Sequence, residues 1–184
     1  MKENRYDDPL FFEKYSQMSR SRLGLAGAGE WEDLQKLLPD FAGKQVLDLG
    51  CGSGILSIAA LRLGAESAFA CDIDEKCVDV AYENAALNGI GKDRYTVRWG
   101  DVLTDAALRQ EMGAGYDIVV ANIVADVIMG LSPHVRPFLK PGGLFLCSGI
   151  IDERAAEVLE KLKADGWDVF EQRSSEGWFS YLCK

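Results

Sequence analysis

The sequence predicts a doubly wound α/β domain on a seven-stranded sheet, mostly parallel, with its last strand antiparallel. Three observations carry that expectation. From Lys44 onward, short apolar runs of strand character alternate with helical periodicities, the pattern of parallel strands joined by crossover helices. The run VLDLGCGSG (46–54) passes from a buried strand through Gly50, Gly52 and Gly54 straight into a helix. A second strand then ends in Asp72, eighteen residues after Gly54, where a carboxylate can meet a ligand held over that glycine turn.

Each element follows from its pattern. QVLDL (45–49) is strand one, and a helix is predicted over 53–63. SAFAC (67–71) is strand two, followed by a helix over 75–88 that Gly89 ends. YTVRW (95–99) and YDIVVA (116–121) are strands three and four. The next helix gathers Val124, Val127, Ile128, Leu131, Val135 and Phe138 mostly on one side, and Pro133 is expected to bend or restart it. LFLCSGI (144–150) is strand five. Asp152 is then positioned to cap a helix carrying Ala155, Val158, Leu159 and Leu162, which Gly166 ends. WDVFEQR (167–173) and WFSYLCK (178–184), joined by SSEG, read as a terminal antiparallel pair.

Residues 1–43 differ in character and are expected to form an N-terminal helical segment ahead of a domain over 44–184. Asp8 and Pro9 suit the start of a short helix bearing Leu10, Phe11, Tyr15 and Met18. The glycine-rich stretch 19–30 suits a movable lid, or equally an extension packed over the sheet edge, and a second helical run goes from Trp31 to Pro39.

A chain of 184 residues, 48% hydrophobic and 27% charged, is large enough for one self-sufficient globular core. Its apolar runs are too short for a membrane span, and its amino terminus lacks the basic start and apolar stretch of a signal peptide. Five cysteines, an odd number without a CxxC pair, sit mostly in apolar runs, as expected of a reduced cytoplasmic protein. A net charge of -9 disfavours nucleic acid and anionic membrane, and suits a small molecule or a basic protein as partner.

The glycine spacing distinguishes two kinds of cofactor. A dinucleotide fingerprint reads GxGxxG and offers helix-terminal amides to a pyrophosphate. Here Gly50, Gly52 and Gly54 give GxGxG just after Asp48, whose charge would repel pyrophosphate yet could receive the ammonium of S-adenosyl-L-methionine. Asp48 could instead orient the amides of the loop. No metal is required by this reading, and His134, the only histidine, is expected at the surface.

The stretches VLDLGCGSGILSIAA (46–60), LGAESAFACDIDEKCVDVAYENAALNGI (63–90), DIVVANIVADVI (117–128), LKPGGLFLCSGI (139–150) and EGWFSYLCK (176–184) together resemble the catalytic domain of the ribosomal protein L11 methyltransferases. The glycine run and the carboxyl-terminal stretch are widespread in the class I S-adenosylmethionine-dependent superfamily, with its Rossmann-like fold, whereas ANIVAD and LCSGI are more specific. That family normally carries a substrate-recognition domain and linker ahead of the catalytic domain, and here only residues 1–43 stand there. Those residues resemble instead the opening of small free-standing class I methyltransferases, so that the chain reads as a splice of two relatives.

The resemblance implies methyl transfer from S-adenosylmethionine to an acceptor, most simply an amine nitrogen of a ribosomal protein such as L11. It places Gly50, Cys51, Gly52 and Gly54 around the methionine part and ribose, and Asp72 on the ribose hydroxyls. Ile73 would lie against adenine, Asp101 would accept from its amino group, and Val102 would offer a backbone amide to the ring. For Asp101 and Val102 a plain turn is the alternative, and Asp74 is read as a helix cap. Asn122, at the end of strand four, is the candidate to orient the attacking amine. A small-molecule methyltransferase and a non-catalytic S-adenosylmethionine-binding scaffold remain alternatives, and a nicotinamide-dependent oxidoreductase is the third class of reading.

Overall fold

Val46, Leu47 and Leu49 are wholly shielded from solvent, as a strand covered on both faces requires, and the sheet is assembled outward from them. The computed structural model describes residues 38–184, of which Phe41–Lys184 form one compact unit. The helices expected after Asp8 and from Trp31, and the lid expected over 19–30, lie outside the described residues.

The elements run β1 (Gln45–Leu49), α1 (Ile55–Arg62), β2 (Ser67–Asp72), α2 (Lys76–Leu87), β3 (Tyr95–Trp99), α3 (Ala106–Met112), β4 (Tyr116–Asn122), α4 (Ala125–Val135), β5 (Leu139–Ile151), α5 (Asp152–Ala164), β6 (Val169–Ser175) and β7 (Trp178–Cys183). The seven strands lie in the order β3-β2-β1-β4-β5-β7-β6. β1 to β5 pair in parallel, while β7 is antiparallel to both β5 and β6. The chain moves outward from β1 to β3, then returns to β4 on the other side. The order therefore reverses between β1 and β4, and a crevice opens at their carboxyl ends, where doubly wound sheets take ligands.

One core joins α3, α4 and α5 to their side of the sheet. Leu47, Val119, Phe145 and Cys147 of the sheet meet Leu108, Ile128, Leu131, Val135, Val158 and Leu162 of the helices. Each large apolar side chain buried this way contributes roughly 1.5–3 kcal/mol before chain entropy is set against it.

Five local departures have physical causes. α3 was not expected, because only Leu108 and Met112 of its seven residues are buried, too few to write a periodicity. Asp105 starts it, accepting from the Leu108 amide at 2.9 Å. β5 begins at Leu139 rather than 144, since the register jumps from Tyr116–Leu139 to Ile118–Leu144 and the residues between bulge outward. Pro133 does not restart α4. The helix runs through it to Val135, held by the buried Ile128, Leu131 and Val135, with the proline ring on the exposed side. Asp152 does not cap α5 with its side chain but is its first residue, where its charge faces the positive end of the helix dipole. Trp167 precedes β6 because its indole N–H donates to the Ser132 carbonyl at 3.1 Å and its ring packs on Phe145, anchoring it to α4.

Candidate functional site

The glycine turn after β1 is shaped by what lies against it. At Gly54, the residue before α1, φ is +81°, and a Cβ would stand 2.7 Å from the Tyr95 hydroxyl and 3.0 Å from Ala81 Cβ. Only glycine fits there. Gly54 leaves α1 without a local side-chain cap, and Asp48 supplies one from β1. Its Oδ2 accepts from the Ser57 amide at 3.1 Å and from the Ser57 hydroxyl at 2.6 Å. Asp48 thus holds one amide of α1 and none of the glycine loop, whose amides go to the Cys71 and Cys51 carbonyls and to Asp72. Its Oδ1 is buried without a hydrogen-bond partner, as is the Tyr95 hydroxyl. Burial pushes the Asp48 pKa up to about 6, outweighing the two Ser57 hydrogen bonds that pull it down, and the charge of Asp72 adds to the rise.

Asp72 ties the end of β2 to the same turn. Its Oδ2 accepts from the Gly52 amide at 2.8 Å and its Oδ1 from the Asp74 amide at 2.9 Å. Asp74 in turn accepts from the Lys76 amide at 3.0 Å just ahead of α2, whose cap residue is Glu75 rather than the expected Asp74. The carboxylate of Asp101 holds its own turn, taking the Leu103 amide and the Thr104 hydroxyl at 2.9 Å each. Each of these carboxylate oxygens has a second lone pair for another donor.

A cavity of about 280 Å³ lies between these turns. Gly50, Asp72, Ile73, Asp101 and Val102 line it together with Leu49, Cys71, Gly100 and Leu103, and the far wall is Ile123, Val124, Val127 and Leu131. Ile73 is 74% exposed and Val124 64% exposed, so two large apolar side chains stand open on opposite walls. An exposed apolar slot of this kind suits a flat ring. The Trp99 indole N–H donates to the Ile73 carbonyl at 3.1 Å and steadies that wall.

Cys51, Gly52, Gly54, Asp48 and Asn122 do not line this cavity. Gly52 joins it through Asp72, and Asp48 directly precedes the lining Leu49. The Cys51 and Cys71 thiols are pushed up by burial, Cys71 to about 12, so neither offers a thiolate near neutral pH. Asn122 is exposed at the tip of β4, paired with Ser148 of β5. Gly149 lies against it with φ +81°, where a Cβ would come within 2.8 Å of Asn122 Oδ1. His134 is exposed on α4, outside the cavity. Among the described residues no group of three or more His, Cys, Asp or Glu side chains is placed to hold a metal ion, and no helix is long and apolar enough to cross a membrane.

Sequence reasoning missed Ser57, Tyr95 and the wall formed by Leu103, Val124 and Val127. Ser57 carried a usable signal, being a polar residue on the buried face of the otherwise apolar run ILSIAA.

Known proteins resemble this chain throughout the described residues. A family model described as ribosomal protein L11 methyltransferase (PrmA) matches residues 32–184. A ribosomal protein L11 methyltransferase of Lachnoclostridium phytofermentans is 40% identical over 77% of this chain and 47% of its own length. One from Pseudomonas paraeruginosa is 44% identical over 81% of this chain and 46% of its own length. The chain thus spans about half the length of the curated relatives it matches. The crystal structure of a ribosomal protein L11 methylase from Lactobacillus delbrueckii subsp. bulgaricus superposes with a TM-score of 0.69 at 29% identity, covering 93% of this chain and 78% of that one. An S-adenosylmethionine-dependent methyltransferase from Mesorhizobium loti shares the fold, with a TM-score of 0.65 at 18% identity over 87% of this chain and 99% of that one. On the family match and these identities, the chain belongs to the ribosomal protein L11 methyltransferase family.

Proposed function

We propose that this chain binds S-adenosylmethionine and directs its methyl group to an amine of a basic ribosomal protein such as L11. The observation that carries the reading is a pair of carboxylates, Asp72 and Asp101, lining an apolar cavity beside a glycine loop, with a third, Asp48, buried in β1 one residue before the lining Leu49. A pyrophosphate would be repelled there, whereas a cationic nucleoside is attracted. The open apolar walls and the unshared Asp48 oxygen fit the two ends of such a molecule.

Asp72 would accept from the ribose hydroxyls, and Ile73 and Val102 would flank the adenine. Asp101 would accept from the adenine amino group and the Val102 amide would donate to the ring. Gly50, Cys51, Gly52 and Gly54 would wall the methionine part, with Asp48 toward its ammonium group. S-adenosylmethionine, when bound, supplies a methyl group activated by a sulfonium. The protein's task is then alignment. The Asn122 carbonyl, exposed at the tip of β4, accepts a hydrogen bond from the incoming amine and directs its lone pair. An amide is too weak a base to remove the amine's proton, so the acceptor arrives neutral.

The relatives named for ribosomal protein L11 support that acceptor, and the net charge of -9 suits a basic one. A methyl-transfer screen with radiolabelled S-adenosylmethionine, run against ribosomal proteins and a metabolite panel, tests it. Label should enter a ribosomal protein and be lost in Asn122→Ala. Label confined to small amines would overturn the protein acceptor, and no label anywhere would leave a binding scaffold.

A further inference from the structure

Ser57 is fully buried in the first turn of α1, nine residues after Asp48, and both its amide and its hydroxyl donate to the same carboxylate oxygen. Capping a helix needs only an acceptor, which a neutral asparagine at position 48 would supply without burying a charge. The second oxygen of Asp48 has no partner, although it is buried. Helix capping therefore accounts for one oxygen of this carboxylate and leaves the other unexplained.

We infer that Ser57 is a positioning residue: it holds Asp48 against α1 through one oxygen, keeps that carboxylate ionised, and so leaves the other oxygen for the cationic end of the cofactor. The inference rests on the proposed binding of S-adenosylmethionine. Around Asp48, the groups that titrate are Cys51 in the glycine loop, Cys71 and Asp72 of β2, and Tyr95 of β3. The buried thiols and phenol are pushed up and stay neutral near pH 7, and Asp72 opposes ionisation of Asp48. The Ser57 hydroxyl and amide are the groups that favour the charged form. The Tyr95 hydroxyl, near Ser57 and pushed up by burial, adds no competing charge.

Ser57→Ala removes the hydroxyl, leaves the amide, and makes the side chain smaller, so the fold is retained. The carboxyl carbon of Asp48, followed by carbon-13 NMR in the protein without ligand, should titrate near pH 6 in the parent chain. In the variant that midpoint should rise by about one pH unit, the size expected for one lost charged hydrogen bond. Calorimetry with S-adenosylmethionine should then show the variant binding about fivefold more weakly at pH 6 and within about twofold of the parent at pH 8.5, where Asp48 is ionised in both. An unmoved midpoint, or an affinity ratio constant from pH 6 to 8.5, would overturn the inference and return Ser57 to a purely structural role. A midpoint that moves in the variant while the parent chain binds no S-adenosylmethionine would instead overturn the proposed function, while Ser57 would still set the charge of Asp48.

Discussion

Asp48 shows how a single residue can oppose the fold that contains it. Its folded pKa of about 6 lies above its ordinary 3.8, so its contribution to stability is complete below pH 3.8 and is lost as pH rises through 6. At about 1.4 kcal/mol per pKa unit the loss is about 3 kcal/mol. Asp48→Asn keeps an acceptor for Ser57 and removes the charge. The variant should therefore be more stable than the parent above pH 7, by about 1–3 kcal/mol, with the difference shrinking below pH 4. Urea unfolding of both proteins from pH 4 to 8 measures this. A variant less stable than the parent at pH 8 would show that the ionised carboxylate is compensated inside the fold. At this scale the place of Asp72 at the end of β2 was legible, because spacing after a glycine turn is a pattern in one dimension, whereas its bond to Gly52 was not. The Ser57 and Tyr95 contacts were not, since they join β1, α1 and β3 across distances that no periodicity records.

The elements carry the site by where they end. β4 stops at Asn122 and β5 passes beside it, and Gly149 makes that approach possible. Gly149→Ala would require a side chain at φ +81° with its Cβ 2.8 Å from Asn122 Oδ1 and 3.0 Å from the Ile123 backbone. Asn122 must then shift. Methyl-transfer turnover should fall by about 10- to 100-fold, as small misplacements near reacting atoms do. Affinity for S-adenosylmethionine, measured by calorimetry, should stay within about threefold, since Asp72, Ile73 and Asp101 lie on other strands' turns. Unchanged turnover would remove Asn122 from the reaction. β1 and β3 were readable to the residue: β1 because a strand buried on both faces is written as an apolar run, and β3, at one edge of the sheet, because the buried Tyr95 and Val97 alternate with more exposed residues. The carboxyl-terminal edge was harder. β6 begins at Val169 and not Trp167, because a tertiary contact with Ser132 outranks the strand character of the tryptophan. The helix does not restart at Pro133 for a related reason: burial of the helix face on either side outweighs one lost backbone hydrogen bond.

Across the whole molecule, the reversal of strand order between β1 and β4 sets the glycine turn and Asn122 on the same edge of the sheet. The fold class followed from alternation together with the glycine turn and the carboxylate after it, and the choice of cofactor from glycine spacing and charge: the carboxylates of Asp72 and Asp101 converge on an apolar cavity, with Asp48 buried one residue before the lining Leu49, where a dinucleotide fold would present amides to phosphate. That convergence is the central claim, and calorimetry of the full chain with S-adenosylmethionine and, separately, with NAD tests it most directly. The expected result is saturable binding of S-adenosylmethionine at one site, no heat with NAD, and an affinity weakened about 10- to 100-fold in Asp72→Ala, corresponding to about 1.5–3 kcal/mol for a carboxylate accepting from two hydroxyls. Binding of NAD without S-adenosylmethionine, or an Asp72→Ala variant that folds and binds S-adenosylmethionine as tightly as the parent, would contradict it.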